Sequence, residues 1–65
     1  MSDSDLSKIL YVINNNEIVK IARTKDDRIQ MYVSNDKSYH MSIEEFLIDA
    51  IDNAFEWTQT QMDEC

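Results

Sequence analysis

The sequence predicts an α+β domain: an antiparallel meander of three or four strands packed against a C-terminal amphipathic helix. Three observations predict it. Short segments of β-forming residues lie between clusters of Asn and Asp, and the last third carries apolar residues at helical spacing. A chain of 65 residues also has room for only one small domain, spanning 1–65.

The first segment, LSKILYVI (6–13), fits two descriptions. Leu6, Ile9, Leu10 and Ile13 lie on a helical stripe, while the run 9–13 is short and rich in β-formers. Shortness and β-branching lean to a strand, with a helix as the alternative. Residues 1–5 and 62–65 are expected to fray.

With no glycine and no proline in the chain, turns that need a positive φ must use Asn or Asp. Asn14-Asn15-Asn16, Lys25-Asp26-Asp27 and Asn35-Asp36-Lys37 supply them. Between them, EIVKIART (17–24) and RIQMYVS (28–34) read as strands, and Ile29, Met31 and Val33 alternate with polar neighbours. SYHM (38–41) reads as a short edge strand with Tyr39 and Met41 on one face.

The closing helix is expected from Ser42 to about Gln61. Ser42 and Glu45 have capping-box spacing, and Met41 and Phe46 stand where a hydrophobic staple would place them. Ile43, Leu47, Ala50, Ile51, Ala54, Trp57 and Thr58 then form a face for the sheet, with Trp57 and the methionines as core.

Charge is unevenly placed. Of a formal −7, residues 1–37 contribute nothing, with six bases against six acids, and residues 38–65 hold seven acids and no base. That distribution argues against direct nucleic-acid binding and against an anionic membrane surface. No apolar run approaches the roughly 18 residues of a membrane span. One cysteine, Cys65, and an opening without a secretion signal predict a reducing, cytoplasmic setting.

Within the helix, Glu45, Asp49, Asp52, Glu56 and Asp63 fall within about 60° of one another, opposite the apolar face. Each like-charge pair one turn apart costs about 0.2–0.5 kcal/mol in an isolated helix. Solubility explains such a ridge in part. The sharper reading is a surface that meets a cationic protein, with Asp49, Asp52 and Glu56 at its centre. Ile48, Phe55 and Met62 recur every seven residues at the apolar margin. They predict either contact with the first segment or a docking or homodimerisation groove.

Catalytic constellations are not legible. His40 is the only histidine, Cys65 the only thiol, and the carboxylates sit on a convex helix face rather than in a pocket. A non-enzymatic protein without cofactor or metal is expected.

The stretch NDKSYHMSIEEFLIDAIDNAFEW (35–57), with its last strand, acidic helix and tryptophan, resembles small phage-encoded inhibitors of host defence. Among them it is similar in character to anti-CRISPR proteins that imitate DNA against Cas9-type nucleases. The resemblance implies an acidic inhibitor of a basic host nuclease or other nucleic-acid-binding enzyme, acting in the host cytoplasm. The alternative is a dimerising or transcription-associated module that uses the apolar helix margin.

Overall fold

The computed structural model describes residues 3–63. They form α1 (Asp3–Asn15), β1 (Ile18–Arg23), β2 (Ile29–Ser34), β3 (Tyr39–Glu44) and α2 (Leu47–Asp63). The strands make one antiparallel sheet in the order β1-β2-β3. α2 lies across β3 and β2, and α1 packs beside α2 and reaches β1. Helices cover one face of the sheet only, giving a two-layer slab of 36 × 26 × 15 Å.

Residues 6–13 are helical, against the lean to strand. The β-forming run yields to tertiary packing, because a helix turns Lys8, Tyr11 and Val12 toward α2 and the core together. Val12 is fully buried, Tyr11 meets Phe55 edge-on and Lys8 reaches Asp52. A strand would put Tyr11 and Val12 on opposite faces. Residues 3–5 belong to the first turn of α1 and residues 62–63 to the last turn of α2, both inside the ranges expected to fray. Cys65 lies outside the described residues.

The turns manage without glycine in three ways. Asp27 alone, among the described residues, takes a positive φ, at 62°. It closes the β1–β2 hairpin, where Thr24 N–H donates to Arg28 O at 2.9 Å and Arg28 N–H donates to Thr24 Oγ1 at 3.1 Å. Asn35 instead lends its side chain: Oδ1 accepts from Lys37 N–H at 2.8 Å and Ser38 N–H at 2.9 Å. At the end of α1, Asn15 Nδ2 donates to Tyr11 O and Asn16 Nδ2 to Val12 O. Each side chain reaches back to the carbonyl four residues before it and ties down the last turn of the helix.

The second helix starts five residues later than expected. β3 pairs with β2 as far as Glu44, opposite Ile29, so Ser42 is a strand residue opposite Met31. A continuous ladder satisfies more backbone groups than one serine cap, and the local signature gives way. The Ser42–Glu45 box and the Met41–Phe46 staple therefore have no helix end to close. Phe46 O accepts the first helical bond, from Ala50 N–H at 3.2 Å, and Asp49 stands in the first turn, where a negative charge suits the helix dipole.

The core is small. Val12, Met31, Val33, Ala50, Ile51 and Ala54 are fully buried, with Val19, Ile29, Phe55 and Trp57 packed around them. Thr58 is buried among them, its hydroxyl donating to Ala54 O at 2.8 Å and accepting from Asn16 Nδ2 at 3.0 Å. Met31 is the one described methionine in the core; Met41 and Met62 are exposed. Ile43, expected on the helix, faces away from it on β3.

Two substitutions test this account. Asn16→Ala removes both the cap on Val12 O and the bond to Thr58, so stability should fall by about 1–2 kcal/mol, read from the urea midpoint at unchanged slope. At the left-handed position, Asp27→Val should cost about 1–2 kcal/mol while Asp27→Gly costs nothing measurable. Equal effects of the two would show that the Asp27 backbone is not what limits the hairpin.

Candidate protein-interaction surfaces

The expected acidic ridge is present but interrupted. Asp49, Glu56 and Asp63 are exposed along α2, whereas Glu45 lies in the connection ahead of the helix. Asp52 is bound from α1: Lys8 Nζ donates to its Oδ1 at 2.7 Å, with the two side chains 31% and 41% exposed. The same ammonium sits 5.7 Å from the centroid of Phe55, whose ring takes Tyr11 edge-on at 5.2 Å and 68°. Lys8 thus joins the two helices by charge and by cation–π attraction.

The bond to Asp52 raises the Lys8 ammonium above its ordinary value against some desolvation, helped by the charges of Asp52, Asp5 and Glu56. Of the apolar margin, Phe55 is taken up by the first segment, as one of the two sequence readings had it. Ile48 and Met62 remain 47% and 42% exposed.

A second surface escaped the sequence reading. Directly opposed residues of neighbouring strands share a face, so the register sorts β3 into two sides. His40, Ser42 and Glu44 turn toward the helices with Val33, Met31 and Ile29; Tyr39, Met41 and Ile43 turn away. Glu44 and His40 on the polar side each meet a residue of α2. Asn53 Nδ2 donates to Glu44 Oε1 at 2.6 Å, and His40 stacks on Trp57 at 5.6 Å and 20°. Ser38 Oγ, just before the strand, donates to Gln61 Oε1 at 3.2 Å. Two buried atoms on this side, His40 Nε2 and Ser42 Oγ, have no hydrogen-bond partner.

The outward side is largely apolar. Tyr39, Met41, Ile43 and Ile18 are 68%, 50%, 47% and 42% exposed. Tyr32 stacks on Tyr39 at 6.0 Å, and Gln30 Nε2 lies 3.0 Å from Met41 Sδ. Ile18, Lys20, Ala22, Gln30 and Tyr32 line a shallow depression there. An antiparallel sheet with one solvated face normally shows polar residues on it. The alternation of Tyr39, Met41 and Ile43 was available in the sequence. Ser42, which also matches a helix start, masks it.

Among the described residues no group of three or more His, Cys, Asp or Glu side chains is placed to hold a metal ion, and no helix is long and apolar enough to cross a membrane. In comparisons with known proteins, no family model, no curated protein and no solved structure matches the chain.

The helix seam carries a pH signature. Because the Lys8 pKa is raised above 10.5 in the fold, its stabilising share is fully present below that value and is lost as pH climbs through the higher folded value. The melting-temperature difference between the wild type and Lys8→Met should therefore hold steady from neutral pH to about 10.5 and shrink above it. A difference that persists in stronger alkali would mean that Lys8 acts through its stem alone.

Proposed function

We propose that this chain is a non-enzymatic, protein-binding inhibitor that presents the carboxylates of α2 to a cationic protein, of the kind that handles nucleic acid. One observation carries the reading: among the described residues, no ion pair reaches Asp49, Glu56 or Asp63. They recur every seven residues, so each lies about 10.5 Å from the next along one flank of the helix. Three nucleotides of a duplex strand advance about 10 Å, which makes this row commensurate with a phosphate backbone. Exposed carboxylates in a row favour fast association with a basic surface.

The resemblance to DNA-imitating anti-CRISPR inhibitors supplies the partner class in its sharpest form, a basic host nuclease met in the cytoplasm of an infected cell. The alternative of a dimerising module through Ile48, Phe55 and Met62 is weakened where it stood, because Phe55 is engaged by Tyr11 and Lys8.

The test replaces Asp49, Glu56 and Asp63 together, by Lys or by Asn and Gln. Asp52 stays, since its loss would also remove the bond to Lys8 and confuse binding with folding. Partner captured from the natural host by the wild type should associate with the charge-reversed variant at least about tenfold more slowly, with neutralisation intermediate. The wild-type complex should weaken steeply with added salt. Unchanged association by a folded triple-lysine variant would reduce the row to a solvated face.

A further inference from the structure

We infer that the open face of the sheet is the seat of a second copy of this chain, in a twofold pair stacked sheet against sheet. The face consists of Ile18, Lys20 and Ala22 from β1, Gln30, Tyr32 and Ser34 from β2, and Tyr39, Met41 and Ile43 from β3. Lys20 is the only ionised side chain among them. Tyrosine and methionine with few charges are the composition of an interface core rather than of a solvated sheet.

The inward polar side of β3 shows that this exposure is not a misfit. Glu44, His40 and the neighbouring Ser38 each have a matching residue on α2, so the strand is held in the register that turns its apolar side out. Slipping by one residue would bury Tyr39, Met41 and Ile43 but break all three matches.

Charge selects the occupant. The acidic residues of α2 lie in the helical layer, on the other side of the sheet. Two copies meeting helix to helix would bring Asp49, Glu56 and Asp63 against their own duplicates. Meeting sheet to sheet, they hold the two helical layers apart on the outside of a four-layer sandwich, with the sheets about 10 Å apart. A twofold axis along β2 places β1 of each copy over β3 of the other. Lys20, level with Tyr32 and Met41 in the register, then lies over Met41 of the partner copy instead of over a second Lys20.

Area sets the strength. Three six-residue strands span about 14 by 20 Å in projection. With side-chain relief, such a face buries on the order of 500 Å² from each copy, or about 1,000 Å² in all, the lower end of specific interfaces. A face of this size suits a reversible rather than an obligate dimer. Pairing is also one of the supports that a chain this short, with a single cysteine, is able to use.

Sedimentation equilibrium from low micromolar to submillimolar concentration tests the pair. The wild type should pass from monomer to dimer, and added salt should leave that transition in place or strengthen it by screening the net −7. This is the opposite of the salt effect on the carboxylate-steered complex, so either reading can fail alone. Met41→Lys with Ile43→Lys should stay monomeric with an unchanged circular dichroism spectrum, while Ile48→Lys on α2 should dimerise like the wild type. Should the double variant unfold, dilution of the labelled wild type answers instead: amide resonances of β3 and of Tyr32 should shift and those of α2 should not. A wild type that remains monomeric throughout overturns the proposal. So does a dimer that survives the double substitution in a folded chain, or one that shifts α2 instead of β3.

Discussion

The pairing of β3 with β2 is the constraint from which most of the molecule follows. Its register sets Glu44 opposite Ile29 and Tyr39 opposite Ser34, and so decides which side of β3 faces the helices. Because the ladder runs through Ser42 to Glu44, α2 begins at Leu47, and Glu45 is left in the connection. The same register gives α2 a polar strand to lie on. Asn53, Trp57 and Gln61, one turn apart along the helix, answer Glu44, His40 and Ser38 in antiparallel order.

A helix seated on a polar strand has less apolar contact to gain there, and the deficit is made up on its other flank. The hydrophobic core lies between α2, β2 and α1, where Val12, Met31, Val33, Ala50 and Ala54 meet. Fully burying a valine or methionine side chain contributes about 1.5–3 kcal/mol, so α1 is held substantially by Val12 and by the seam around it. That seam is mixed in character. Lys8 binds Asp52 and overlies Phe55, Tyr11 meets Phe55, and Asn16 joins the end of α1 to Thr58. Its side effect is electrostatic: the one base that α1 offers is bonded to Asp52, and no ion pair among the described residues reaches the outer row of α2 carboxylates.

The two surfaces that result are chemically opposite and lie on opposite sides of a slab only 15 Å thick. One is a row of carboxylates, suited to a solvated, charge-steered contact with a basic protein. The other is an apolar sheet face with stacked tyrosines, suited to a drier contact. Since the sheet separates them, occupation of one leaves the other accessible. A pair of copies joined through their sheets would display its carboxylate rows on both outer surfaces.

Much of this was legible before any fold was known. The α+β class, the strands flanking Asp27, the break at Asn35 and the helical spacing of Ala50, Ile51, Ala54 and Thr58 all follow from period and turn chemistry, which are properties of neighbouring residues; Asn14 and Asn15, expected in a turn, close α1 instead, and no described Asn takes the positive φ expected of it. The exposure of Asp49, Glu56 and Asp63 was legible for the same reason, since they lie opposite the apolar stripe. What only the tertiary structure decided were the cases in which two local signals competed or a distant residue intervened. Residues 6–13 satisfied strand and helix alike until α2 offered Asp52 and Phe55 to Lys8 and Tyr11. Ser42 satisfied a helix cap until β2 offered a longer ladder. Asp52 looked like its neighbours on the ridge until a lysine 44 residues away in sequence closed on it. Local chemistry ranks the conformations open to a short segment, but their differences are near 1 kcal/mol, and a few long-range contacts are enough to reverse the order.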